Sequence, residues 1–402
     1  MSNGGAVVIA YDEEAAWGTS DAVSFKKIAF ATSESLGTTT STATSDAIRG
    51  DYVKPNVIRT DISGGGAINF EAVYKDGPIQ DFLEGALRSD WSTVAATSAQ
   101  STISAVDVAS QFHRSAGSFV ADGWVVGMAG RSSGFSTAAN NGYFVVIAVA
   151  ASNLDVTGIN TATEAEGNAV TLVNTGYMMN GTAVKSFTLE KQFTDLTTCF
   201  ISMPGARVSS WSLSAQAGAI CTGSVNFVGK AQLAIATVTA GNGAYSASSG
   251  VANQPMNGID NVTGIYVGND DTLNTTPVTY CVSQIDLNIN CPARPISCLG
   301  SLGPSAIGSN SFEITGSLRV YFDDTSKALW SDYIAYTEKA LIFRLVDVSS
   351  NALVFFIPQV NITASDGPAA GGPDTDVMMN LSFTAEYDAT IGGLMSVTRI
   401  DA

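Results

Sequence analysis

The sequence predicts a mainly β protein: two tandem β-sandwich or barrel units, each with one flanking α-helix, plus an inserted small β-domain. Three observations carry this. First, only 14% of the 402 residues are charged and 45% are hydrophobic, with 39 Gly. A globular chain usually carries about a quarter charged residues, and a mixture weighted toward Gly, Ser, Thr, Asn and Val suits strands and turns. Second, a strand–cap–helix stretch occurs twice, as GAINFEAVYKDGPIQDFLEGALRSDW from residue 66 and as GSLRVYFDDTSKALWSDYIAYTE from residue 316. Third, a stretch of different character, with no basic residue between Arg131 and Lys185, interrupts the first copy.

Residues 1–24 read as an extended arm. In FKKIAFATSESL, Phe25, Ile28 and Phe30 stand among polar neighbours. AINFEAVYK places Ile68, Phe70 and Ala72 on one face and Asn69 and Glu71 on the other, the period of a half-buried strand. Asp76 is placed to cap a helix and Pro78 suits its first turn. Ile79, Phe82, Leu83, Ala86 and Leu87 then recur at the spacing of a helical stripe.

Residues 92–118 read as a Ser/Thr/Ala-rich linker, and 119–183 as short strands with a hairpin turn at Asn141-Gly142. Long strands return over 185–230. Residues 231–280 read as an extended loop with few strands, and CVSQIDLNIN resumes the alternation at Cys281. The expected organisation is a discontinuous first unit (1–91 and 185–235), an inserted module (92–184), a linker (236–280) and a second unit (281–402).

The two copies match element by element. Gly66, Ile68 and Phe70 match Gly316, Leu318 and Val320, and an acidic cap follows each, Asp76 or Asp324. Phe82 and Trp330 hold equivalent helix positions. The stripes expected to pack each helix on its own sheet are Ile79, Phe82, Leu83 and Leu87 in the first copy. In the second they are Leu329, Trp330, Tyr333 and Ile334. Downstream, SFTLEKQF and LIFRLVDV each lead through a polar turn to a strand carrying a proline, Pro204 or Pro358. AICTGSVNFVGK and DVMMNLSFTAEYD close the two copies.

Several function classes are excluded. A formal charge of −17 and a pI near 4.3 oppose any electrostatic grip on nucleic acid, which needs Lys and Arg on phosphates. The five cysteines, Cys199, Cys221, Cys281, Cys291 and Cys298, have no C-x-x-C spacing and are accompanied by one histidine, His113. They are read as buried free thiols, with no metal and no cofactor. His113 lies in the expected linker, so no nucleophile–base pair can be assembled. Gly64-Gly65-Gly66 precedes a strand, unlike a phosphate loop. Asp323-Asp324 reads as a helix cap and Asp270-Asp271 as a solvated turn. No apolar run reaches the roughly 18 residues that a membrane span needs, and the start lacks a basic signal region. Synthesis in a cytoplasm is expected. The chief alternative to a structural role is a glycan-binding surface protein, with Trp124, Tyr143 and Phe144 as a stacking patch; core positions suit these aromatics better.

AAWGT, SESLG at residues 33–37, IRGD and SGGGAINFEAVYKDGPIQDFLEGALRSDW resemble the tail tube proteins of long-tailed, non-contractile bacteriophages. So do IDLNIN, SLGPSAIGSNSFEITGSLRVYFDDTS, FFIPQVNITA and LMSVTRID in the second half. The resemblance covers most of the chain outside 92–184 and part of 231–280. It implies a virion structural protein whose units form six-membered rings, stacked into a hollow tube. A duplicated chain implies homotrimeric, pseudo-hexameric rings, with hexamers as the alternative, and an insert decorating the outside. Implied partners are other copies of the chain and the tape-measure, tail-tip and terminator proteins. DNA would pass through an acidic lumen without specific binding. Other virion parts, a decoration or terminator protein, need no duplication. The N-terminal arm and the 231–280 loop are candidates for ring-to-ring contacts that order on stacking.

Overall fold

The structure is a computed structural model; it describes all residues except 1, 22, 49, 52, 93–96, 108–109, 160, 249, 270–277, 370–371 and 402. Asp270-Asp271 therefore lies outside the described residues.

In the first unit, strand Val57–Glu71 leads into helix α1 (Gly77–Leu87). After the insert come strands Phe187–Phe193, Cys199–Gln216 and Thr222–Gly229, the last returning antiparallel onto Val57–Glu71. In the second unit, Glu313–Tyr321 leads into helix α2 (Lys327–Ala335). Lys339–Val346, Ala352–Ser365 and Met378–Ala385 follow, and the last returns onto Glu313–Tyr321.

The repeat extends to register. Val225 faces Ile68 as Leu381 faces Leu318. Leu189 faces Met203 as Leu341 faces Ile357, and both ladders slip by one residue just beyond, where Pro204 and Pro358 sit. Proline cannot donate to a ladder, so a bulge is where a paired strand tolerates it. A second slip recurs between Val208 and Ser210 and between Ile362 and Ala364.

An outer strand completes each unit: Val7–Glu13 beside Phe187–Phe193, and Val262–Asn269 beside Lys339–Val346. The second of these lies within the stretch expected as linker. Its Ile265 and Val267 are buried in the core, yet Gly, Asn and Asp around them masked the alternation.

The two units join edge to edge. Residues 210–216 pair with residues 284–290, so one sheet runs through both. The core is correspondingly continuous. Trp211 lies against Phe70 and Phe355, at ring separations of 6.2 Å each, and its indole N–H donates to the Pro78 carbonyl at 2.8 Å.

Residues 97–173 contribute a separate seven-stranded sheet with its own core of Phe112, Phe119, Trp124, Phe135 and Phe144. Three of its strands, Thr97–Gln100, Ile103–Val106 and Gln111–Arg114, occupy the stretch read as a linker. His113 is therefore a strand residue, opposite Ser104 and Asn153. Asn141-Gly142 sits where Gly142–Val149 begins, at the end of a hairpin connection rather than at its tip. The insert stands on the second unit. Ala129 and Val145 pack with Ile342, Val354 and Phe356, and the Tyr143 hydroxyl donates to the Ser350 carbonyl at 2.7 Å.

Residues 231–248 and 250–261 lie along the first unit and are fastened to it. Leu233 N–H donates to the Ser202 carbonyl at 2.8 Å. The buried carboxylate of Glu190 accepts from Ala240 N–H at 2.7 Å, the Tyr245 hydroxyl at 2.6 Å and the Thr239 hydroxyl at 2.5 Å.

Candidate assembly surfaces

Helix α1 is held on all sides. Pro78 stands in its first turn and Arg88 ends it in the left-handed conformation. Asp76 does not cap it through its side chain. The carboxylate instead accepts from the N–H groups of Ala29 and Phe30 and from the Ser248 hydroxyl, tying three segments together. Of the predicted stripe, Ile79, Phe82, Leu83 and Leu87 are all buried, with Phe82 0% exposed. The Phe82 ring lies 4.6 Å from Tyr11, 5.0 Å from Phe227 and 5.1 Å from Phe187. Lys185 clamps the outer side, reaching Glu84 at 2.6 Å, Asp90 at 2.7 Å and Glu13 at 3.1 Å. Burial opposes its charge, but hydrogen bonds to Asp90 and Glu84 outweigh that and hold it above the usual lysine range.

Helix α2 differs. Its N-cap is Ser326, not Asp324, and no side chain caps it. Asp323 accepts the N–H groups of Thr325 and Ser326 in the turn that leads in, while Asp324 is exposed and, among the described residues, reaches only Lys327, at 2.8 Å. Of its stripe, Leu329 is buried, while Trp330 and Tyr333 are half-buried against the core. Ile334, expected on the sheet, is 68% exposed. Both helices end five residues past the equivalent Phe82 and Trp330, with a left-handed residue next, Arg88 or Tyr336, so Ile334 corresponds to the buried Ala86; among the described residues nothing covers it. The periodicity placed the stripe; it carried no information on what covers its outer half.

The continuous sheet has one apolar and one polar face. Strand alternation sends Ile68, Val225, Trp211, Leu287 and Leu318 into the core. Opposite them stand Asn69, Ser224, Ser212, Asn288, Ser317 and Asn380, along a shallow concave surface crossing both units. Asp286 sits at its middle, accepting from Ser214 at 2.6 Å and Ser317 at 2.9 Å. Arg319 stands nearby, and Glu71 and Glu313 lie at the rims; the rest of this face, among the described residues, is mainly hydroxyl and amide.

Among the described residues no group of His, Cys, Asp and Glu could hold a metal ion. Cys199, Cys221 and Cys291 are buried, and burial pushes the thiols of Cys221 and Cys291 up to about 11 and about 12. Cys281 and Cys298 are exposed, against the expectation of uniform burial, because both lie at strand ends where the chain leaves the sheet. Trp124 and Phe144 are interior and Tyr143 is spent on the second unit, so the stacking patch does not exist as a surface. No described helix is long and apolar enough to cross a membrane.

No curated protein matches the chain. A family model described as phage tail tube protein matches residues 4–385, including the insert that the sequence resemblance had left out. With its β-rich architecture and duplicated helix-flanked unit, the chain belongs to the phage tail tube protein family, a structural family of the virion tail.

Proposed function

We propose that this chain polymerises into stacked rings that form the hollow conduit for genome ejection. The observation that carries the reading is the edge-to-edge junction of two equivalent units, residues 210–216 on residues 284–290. A unit that joins its copy through one strand edge presents the same kind of edge again at its far side, and rotation closes such a chain of contacts into a ring. Three chains supply six units, and closure removes the open edges that make β-sheets aggregate.

The concave polar face lines the bore in this arrangement, and the insert decorates the outside. The lining is then mainly hydroxyl and amide, and Arg319 is accompanied by Asp286 and by Glu71 and Glu313 at the rims, so phosphate meets little net positive charge there. The net charge of −17 does not reside there. Much of the carboxylate complement is engaged elsewhere, as in Glu14, Glu190 and Asp76, which accept backbone and hydroxyl hydrogens. DNA passes without specific binding because the face offers little net positive charge, rather than because a dense acidic wall repels it. Tape-measure, tail-tip and terminator proteins are the further partners, and synthesis takes place in the host cytoplasm.

The N-terminal arm, through Val7–Glu13, and the described residues of 231–261 are already fastened to the first unit, which leaves the exposed outer part of the hairpin, residues 41–44 and 57–61, as the ring-to-ring candidate. Its tip should be cleaved by protease in free subunits and protected in tubes.

Electron microscopy of the purified chain tests the function. Rings or tubes with an open bore are expected. Monodisperse monomers at every concentration and salt, even with tail tips added as initiators, would overturn the reading.

A further inference from the structure

Resting on the ring reading, we infer that the seam between chains is formed by residues 363–367 of one copy pairing with residues 36–40 of the next, and that the free subunit keeps both edges closed with its own side chains. The intrachain junction supplies the template. Its register is anchored by Ala217 N–H on the Ser283 carbonyl at 2.9 Å and Cys291 N–H on the Ser209 carbonyl at 3.1 Å. In that alternation Leu213 and Leu287 turn their backbone groups toward each other.

The repeat maps this pair onto other residues. Asn288 faces Thr315 as Gly37 faces Gly65, so Leu287 corresponds to Leu36. Pro204 and Pro358 mark the same bulge, and the next slip follows at Ser210 and Ala364, so Leu213 corresponds to Gly367. Strands Ala31–Glu34 and Gly37–Thr44 pair with Val57–Glu71 alone, so no described strand occupies their other edge. The counterpart edge in the second unit, Val282–Asn290, is paired on both sides.

The side chains at these two points imitate an absent strand. Leu36 N–H donates to the Glu34 carboxylate at 2.7 Å. The Leu36 carbonyl accepts from Lys191 at 2.9 Å and Gln232 at 3.2 Å, while Lys191 also binds Glu34 at 3.0 Å. On the opposite edge, Gly367 N–H donates to the Ser365 hydroxyl at 3.1 Å. The second unit has no such latch. Phe343 holds the position of Lys191 and Ile285 that of Glu34, both inside the core beneath the first unit's strand. The polar pair thus occurs in the copy whose edge lacks a strand partner. An edge whose N–H and C=O groups are satisfied locally is a poor template for unwanted pairing.

Two measurements on the full chain test this. The first places Thr39→Cys and Ala364→Cys together, with Cys281→Ser and Cys298→Ser to remove the exposed thiols. These positions correspond to the facing pair Ser210 and Asn290, close enough for a disulfide. Oxidised assemblies should show chain-to-chain bonds on a non-reducing gel, in a ladder ending at three chains, and neither single cysteine should give it. Tubes visible by microscopy with no interchain bond would overturn the seam while leaving the tube function intact; no particles from the wild-type chain would overturn both. The second transplants the second unit's residues, Glu34→Ile with Lys191→Phe, checked for folding by circular dichroism. Assembly should begin at about tenfold lower concentration than in the wild type. An unchanged or higher threshold in the folded variant would overturn the latch.

Discussion

The two copies of the unit share strand order, bulges and a helix, yet they are stabilised differently. Helix α1 buries nine of its eleven residues, whereas α2 buries Leu329 alone. The outer faces diverge in the same way. In the second unit Ile342, Val354 and Phe356 meet the insert through apolar contact. In the first, Glu190 and Thr188 stand on the corresponding strand and are satisfied by hydroxyls, backbone N–H groups and Glu14. A duplicated backbone thus tolerates two kinds of cover, provided each buried polar group finds a partner. What distinguishes the copies is their neighbours: α1 also touches the second unit's strand Val282–Asn290, while α2 packs chiefly on its own unit's strand Ala352–Ser365.

Phe82→Ala should break the first unit, costing about 3–5 kcal/mol by chemical denaturation, because its site is closed on every side. Trp330→Ala should cost less, about 2 kcal/mol in the isolated chain, since its ring is only partly buried against the core. Equal losses would dissolve the contrast between the helices.

The outer faces should separate next. Phe356→Ala should lose about 3 kcal/mol through a cavity under the insert. Glu190→Gln should lose about 1–3 kcal/mol by weakening its bonds to the 239–245 segment, and limited proteolysis should then open that segment first. Unchanged stability and unchanged cleavage in the Glu190→Gln variant would mean that the linker is held by packing rather than by this carboxylate.

A smaller effect concerns the link between the units. Asp401 receives Lys75 and the Tyr74 hydroxyl, each at 2.8 Å. Burial opposes its charge, but these donors outweigh it and hold the carboxyl below the usual range. With a folded value below the unfolded one, its stabilisation is present above the unfolded value and is lost as pH falls through the folded one. Asp401→Asn should therefore lower stability in the neutral region and leave the acid end of a stability–pH profile little changed, so that the acid limb flattens; a loss of equal size at every pH would show that the carboxylate's charge is not what stabilises the link. The smallest perturbation is chemical. An alkylating reagent on the native chain should modify Cys281 and Cys298 and spare Cys199, Cys221 and Cys291, read by peptide mass spectrometry.

Much of this architecture was legible in the amino-acid order. Alternation at Ile68, Phe70, Leu318 and Val320 fixes which face is buried, since a strand sends successive side chains to opposite sides. Helical spacing located α1 and α2, and Pro204 and Pro358 marked equivalent strand positions, which the structure shows to be matching bulges. The order of these elements sufficed to recognise a duplication and the family with it.

Tertiary structure decided the rest, because it depends on partners distant in sequence. Alternation could not separate the strand Val262–Asn269 from a loop, nor show that Thr97–Gln100, Ile103–Val106 and Gln111–Arg114 pair as strands within the insert. Periodicity assigned Ile334 to the same stripe as Leu329, but burial requires something on the other side, and no described residue covers Ile334. Net charge could be counted from the sequence, but its placement could not. The fold spends Glu14, Asp76 and Glu190 on orphan donors and turns hydroxyls and amides to the concave face. Local pattern dictates which way a side chain points, and only the assembled fold decides what meets it there.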